Sequence, residues 1–252
     1  MLNRAKENLT EFLQIKNATD TSADLYFYGD IVSSMSWYEE DQYPDAVKKF
    51  LDDAKGKNLN IYMNSGGGSV FAGMAIYNML KRHQGNKTVY VDGLAASIAS
   101  VIALAGDKVI IPSNAYFMIH KPWTIAMGDA NEFRKTADTL DTIEQGILNV
   151  YEDNLAEGID VKAIKKMVNE ETWLTGDQAS QYFKNIEVSP AIEAVAYTGE
   201  LKFNNTPEQI QQNAQVIEAT SNGDEQNHQD EAISKHRAKL KLLKLKGEQK
   251  HD

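Results

Sequence analysis

The chain has 252 residues, 42% hydrophobic and 25% charged, the proportions of an ordinary globular protein long enough for one large domain or two small ones. It has no cysteine, which excludes disulfide frameworks, thiolate metal sites and cysteine nucleophiles, and its longest apolar run, Ile98 to Ala105, is too short for a membrane span. The net charge of −10 is uneven: residues 235–252 carry +5 and the remainder −15, and so acidic a body speaks against a nucleic-acid enzyme.

Residues 1–22 read as a separate N-terminal segment, in which Leu9, Phe12 and Leu13 have the spacing of one short helix. The opening residues lack the apolar stretch of a secretion signal, so a cytoplasmic location is expected. The folded domain is placed at 23–195. Within it, strands are expected at Leu25–Tyr28, Leu59–Met63, Thr88–Val91, Val109–Ile111 and Tyr116–Ile119. Between the second and third, Ala72, Ala75, Ile76, Met79 and Leu80 follow helical spacing over 69–82. Ser97–Ala105 reads as a buried helix with Gly106 in a C-cap position.

A helix of some thirty residues follows, opened by a capping box of Asp129 and Glu132, seamed by Phe133, Leu140, Ile143, Ile147 and Val150, and closed at Gly158. Such a length implies that part of the helix packs against something outside its own domain. Asp160 caps a further short helix, and Thr175 with Gln178 caps another. Strands alternating with helices over short links make an α/β fold of repeated βα units with parallel crossovers. Residues 196–252 form a polar, low-complexity tail. It ends in a basic, leucine-bearing stretch, Lys235–Lys246, expected to dock a partner rather than to serve catalysis.

Three stretches carry chemistry. Of five histidines, only His120 follows directly on an apolar strand, where α/β proteins place functional groups; taken alone it is more often a hydrogen-bonded structural residue. Ser97, in Gly93-Leu94-Ala95-Ala96-Ser97-Ile98, puts a hydroxyl at a strand-to-helix turn among small neighbours, although serines there are commonly plain N-caps. Asn64-Ser65-Gly66-Gly67-Gly68-Ser69 lets bare backbone approach a ligand and aim N–H groups at it. It lacks the lysine and the spacing of a phosphate loop but suits one wall of an oxyanion hole. Ser100 and Ser69 are the next candidates for a nucleophile.

These stretches, with Phe117-Met118-Ile119-His120-Lys121-Pro122, resemble in order and spacing the Clp-type (caseinolytic) serine endopeptidase family, from about Leu25 to Val188. The likeness is strongest to its phage branch, which matures procapsids. The resemblance implies a crotonase-like α/β domain with a long protruding helix, Ser97 as nucleophile, His120 as general base, and Gly68 and Ile98 as oxyanion donors. It implies no cofactor and no metal.

The family's third triad member is an aspartate before an aromatic-hydrophobic-Ser/Thr stretch. Here Trp173-Leu174-Thr175 is preceded by Glu171, with Glu170 and Asp177 as weaker substitutes. By the same resemblance the chain forms a homo-oligomeric ring, a heptamer or a double one, acting on proteins or peptides, with capsid or scaffold proteins as substrates and no membrane partner. A competing reading is a housekeeping subunit fed by an ATPase unfoldase, against which residues 1–22 speak, since they do not look like the family's pore-lining segment. A crotonase-type acyl-CoA enzyme shares the fold but is disfavoured by the Ser/His pair. A non-enzymatic assembly factor on the same fold would need neither residue.

Overall fold

The computed structural model describes residues 19–34, 42–191, 203 and 205–207. The helix expected near Leu9 and the basic stretch 235–246 lie outside them. The chain divides into two units, Met1–Thr206 and Pro207–Asp252, and every helix and strand described belongs to the first. That unit extends beyond the boundary expected at residue 195.

All five expected strands form. They are β1 (Ser22–Tyr28), β2 (Asn58–Ser65), β3 (Lys87–Ala96), β4 (Lys108–Pro112) and β5 (Tyr116–Ile119). Two more close the sheet, β6 (Thr172–Thr175) and β7 (Ile186–Ser189), both only four residues long. The main path runs β1–β2–β3–β4–β7, with every pairing parallel. In β2, Leu59, Ile61 and Met63 are buried while Asn60 and Tyr62 are half-exposed, the period-two alternation of a strand with one packed face. On the other face, Tyr26, Tyr62 and Tyr90 stand in register on neighbouring strands and stack, with ring centroids 4.8 and 5.3 Å apart.

Among the described residues, six helices accompany the sheet: α1 (Pro44–Asp53), α2 (Val70–Arg82), α3 (Ile98–Ala103), α4 (Ala130–Asp153), α5 (Val161–Asn169) and α6 (Gly176–Tyr182). Helix α1 was not expected; Pro44 opens it at a position where the missing N–H costs nothing, and Ala46, Val47 and Phe50 are buried. The packed face of α2 is rotated from the expected one, since Tyr77 is inside and Ala75 outside. Side chains from all six helices join the inward strand residues in one core, where each fully buried Leu, Ile or Phe stabilises by about 1.5–3 kcal/mol.

The capping signals hold. Asp129 and Thr175 each form a complete capping box, with Glu132 and Gln178, and Asp160 accepts from the Lys162 N–H. Two expected stops differ. Gly106 is not among the residues with positive φ; its bare Cα instead lets Val89 approach, whose Cγ2 would lie 2.7 Å from an added Cβ. The long helix ends at Asp153 with Asn154 as C-cap, giving 24 residues, and Gly158 (φ +82°) serves the turn beyond it. Only its C-terminal half is packed, through Ile147, Leu148, Val150 and Tyr151; Phe133, near its start, is exposed.

The sheet forks at β3. Thr88–Tyr90 pair with β4, whereas Leu94–Ala96 pair with β5, and β5 in turn pairs antiparallel with β6. Ala96 stands opposite Met118, and Ile119 stands opposite Thr172. The next residue on each strand, Ser97 after β3, His120 after β5 and Glu171 before β6, therefore reaches one common end of this sub-sheet.

Candidate active site

Ser97 sits at the sharp turn between β3 and α3 with φ 56° and ψ −129°, a region that side-chain-bearing residues rarely occupy. Strain of this kind, on the order of 1–3 kcal/mol, is held by surrounding contacts and clusters at functional turns. Three contacts hold it here. The Ser97 N–H donates to the Met118 carbonyl at 3.0 Å, and the Ser97 carbonyl accepts both the Ser100 N–H (3.0 Å) and the Ser100 hydroxyl (2.6 Å). Ser100 Oγ also lies 2.8 Å from the buried hydroxyl of Tyr151 on α4.

The turn aims the Ser97 hydroxyl at His120. Oγ and Nε2 are 2.7 Å apart, the distance needed for direct proton transfer. His120 is buried, and burial holds its imidazole below the ordinary value of 6.5, while the negative charge of Glu171 acts to raise it. The result favours a neutral imidazole near pH 7, the form that accepts a proton. Ser100 is not placed for this role, because its hydroxyl is committed to the Ser97 carbonyl and Tyr151. Ser69 caps α2 and bonds Ser33 instead.

Glu171 also has a positive φ of 51°, at the tight turn from α5 into β6. Its Oε1 accepts the backbone N–H of Asn205 at 2.5 Å, and the Asn205 side-chain amide donates to the Glu170 carbonyl at 3.0 Å. The two weaker candidate carboxylates point elsewhere: Glu170 lies 3.9 Å from Lys166, and Asp177 is exposed in the first turn of α6.

The glycine turn lies directly against Ser97. Gly67 and Gly68 have φ of +96° and +140°; a Cβ on Gly67 would stand 2.8 Å from both Ser97 Cβ and the Ala96 carbonyl, and one on Gly68 would strike the Ile31 carbonyl. The turn is pinned by Ile31, whose N–H donates to the Gly67 carbonyl and whose carbonyl accepts the Ser69 N–H, both at 2.7 Å. Among the described residues, neither the Gly68 N–H nor the Ile98 N–H, at the first position of α3, has a backbone partner. Two backbone N–H groups without a backbone partner thus lie beside the serine hydroxyl, donors of the type an oxyanion hole uses.

Two hollows flank the pair. A narrow recess walled by Val70, Ile98, Val101, Ile147 and Tyr151 opens at Ser97 and His120, with room for about one water. A wider cleft of about 660 Å³ runs between the 120–123 loop, the end of α5 and Asn205. Among the described residues there is no cluster able to hold a metal ion, and no helix is long and apolar enough to cross a membrane.

The structure thus brings Ser97, His120, Gly68, Ile98 and Glu171 to one place. Sequence reasoning missed Ile31, Tyr151, Phe203 and Asn205. The one signal for the last two was the aromatic Phe203, just before a stretch poor in large apolar residues.

The chain is 31% identical over 137 residues to an ATP-dependent Clp protease proteolytic subunit of Bacteroides fragilis, covering 53% of this chain and 65% of that protein. It is 35% identical over 129 residues to the subunit of the same name from Ligilactobacillus salivarius, covering 50% and 64%, and 31% over 137 residues to that of Porphyromonas gingivalis, covering 53% and 60%. The chain thus spans less than two thirds of the length of each of these relatives. A family model described as Clp protease matches residues 29–183, from the turn after β1 to the end of α6 and more than half of the chain. This chain belongs to the Clp protease family.

Proposed function

We propose that the protein is a serine endopeptidase that hydrolyses peptide bonds through an acyl-enzyme. The observation that carries this reading is the 2.7 Å approach of Ser97 Oγ to His120 Nε2 beside two backbone N–H groups that have no backbone partner among the described residues. In this reading His120 Nε2 takes the Ser97 proton as Oγ attacks the scissile carbonyl. The Gly68 and Ile98 N–H groups receive the developing oxyanion. Collapse of the tetrahedral adduct breaks the C–N bond, and His120 returns the proton to the leaving amine. Water, deprotonated by His120, then releases the acid and restores Ser97. Glu171 stabilises the imidazolium formed in between.

A test is the hydrolysis of an activated peptide ester, for which acylation is fast and deacylation limiting, with pre-steady-state sampling. A burst of released alcohol, equal to the concentration of active sites, is expected if the acyl-enzyme forms. Linear release with no covalent acyl adduct in the mass spectrum contradicts the mechanism.

The fit of the glycine turn to Ser97 gives a second expectation. Gly67→Ala places a methyl group against Ser97 Cβ in a conformation unsuited to alanine. Displacing the reacting group by about an ångström costs about 10²-fold in kcat/KM, so a near-normal kcat/KM would contradict the close approach.

The working form in this reading is a homo-oligomeric ring, heptameric by the family resemblance. The support is apolar surface on the segment leading into α4, Trp123, Ile125 (86% exposed) and Met127 (95%), and on Phe133 near the start of α4. A ring-sized mass is expected by light scattering at micromolar concentration, and a monomer overturns the assembly. The substrates proposed are proteins of an assembling capsid. The second setting, supply by an ATP-driven unfoldase, is favoured by the names of the relatives. Degradation of a folded protein only with such an ATPase and ATP would select the second.

A further inference from the structure

Phe203, Asn205 and Thr206 follow the last strand in sequence, yet they pack at the Ser97–His120–Glu171 end of the sheet. The Phe203 ring meets His120 edge-on, with centroids 5.2 Å apart and planes at 86°, and meets Trp173 at 5.6 Å and 77°. It lies on the small core of Leu94, Ala96 and Met118, the β3 and β5 residues that lead to Ser97 and His120. Thr206 is buried, with its hydroxyl donating to the Phe203 carbonyl at 3.4 Å. Asn205 makes two bonds to the turn that carries Glu171, one from its backbone to the carboxylate and one from its side chain to the Glu170 carbonyl.

We propose that Phe203, Asn205 and Thr206 are positioning residues of the active site, with Asn205 fixing the Glu171 carboxylate and Phe203 fixing the His120 ring. This rests on the serine-peptidase reading above. A glutamate has one more rotatable bond than an aspartate, so its carboxylate needs an external hold to stay beside an imidazole. The bond from the Asn205 N–H to the Glu171 carboxylate has an ionised acceptor and is therefore charge-assisted. Because it comes from the backbone, it survives most changes of the side chain at 205. Neither contact touches the Ser97–His120 hydrogen bond, which remains formed at 2.7 Å with the segment in place. The segment therefore supports the pair instead of blocking it.

Among the described residues, the charged groups near the imidazole are few, and Glu171 is the one whose charge acts on His120. The adjacent Lys121 is paired with Glu144 of α4 at 3.2 Å, and Glu170 faces Lys166. A change in the His120 titration after an alteration at residue 205 thus reports the Glu171 carboxylate.

The experiment compares full-length Asn205→Pro, which removes the N–H, with Asn205→Ala, which keeps it. Histidine titrations are followed by ¹⁵N NMR, and kcat is normalised to sites titrated with a fluorophosphonate. In Asn205→Pro the carboxylate is released, so the His120 pKa falls and kcat drops at least about tenfold while KM changes little. Asn205→Ala keeps most of the activity and the wild-type titration. Added to Glu171→Gln, Asn205→Pro has no further effect, because both act through one group.

Phe203→Ala, with Phe203→Tyr as the conservative rescue, repeats the kcat test without a proline. An Asn205→Pro protein with unchanged His120 titration and kcat overturns the proposal, and so does one with raised kcat, which would make the segment inhibitory. A wild-type protein that hydrolyses nothing overturns the peptidase reading, and the His120 titration still decides the role of Asn205.

Discussion

Ser97→Ala is expected to lower kcat by about 10⁴- to 10⁶-fold on a peptide substrate, with the melting temperature close to that of the wild type. The size follows from losing the hydroxyl oxygen that is hydrogen-bonded to His120 Nε2, so no covalent route remains. The residual rate is what the two backbone donors and substrate binding give to attack by water. The fold should tolerate the change, since the Ser97 contacts that brace the turn are made by its main chain. Activity near normal would move the nucleophile to another residue; Ser100 and Ser69 are poor successors because of their own bonds.

The second large effect is expected at Glu171. Glu171→Gln should reduce kcat by about 10³- to 10⁴-fold, and Glu170→Gln, whose partner is Lys166, should change it little. The pH dependence adds a signature. Activity requires neutral His120, so kcat/KM falls as pH drops through the histidine pKa of the free enzyme. Burial places that limb below 6.5, and the charge of Glu171 pulls it partly back up. Removing the charge takes away the upward influence, so the limb in Glu171→Gln moves to lower pH while the plateau falls. A limb that stays in place, or a Glu170→Gln protein equally impaired, contradicts the assignment.

The parts of the fold legible in the sequence were those with strong local signals. Leu59, Ile61 and Met63 alternate as a strand must, and Asp129 with Glu132 or Thr175 with Gln178 can hardly be anything but helix starts. Strands β6 and β7 were not legible as strands, because four residues carry too little period and their pairing partners lie far off in sequence. The length of α4 was overread, since the charged run to Gly158 continues a helical composition after Asn154 has ended the helix.

At the site, Ser97 and His120 stood out because each follows an apolar strand. Glu171 was reached only through resemblance to a family motif, and the structure supplies the reason for its place: the antiparallel pairing of Ile119 with Thr172 carries the chain back beside His120. Asn205 acts through its backbone N–H, a group that every residue except proline possesses, so no residue type could announce it. Phe203 was read as part of a polar tail, since one aromatic does not make a core until β3 and β5 fold beneath it.

The most direct measurement is covalent labelling of the full-length protein with a fluorophosphonate, followed by mass spectrometry of its peptides. One adduct per chain on Ser97 is expected, lost in Ser97→Ala and much slowed when His120 is replaced by alanine. A folded protein that takes no label, or one labelled as fast without His120, would contradict the claim that these two residues form an activated nucleophile.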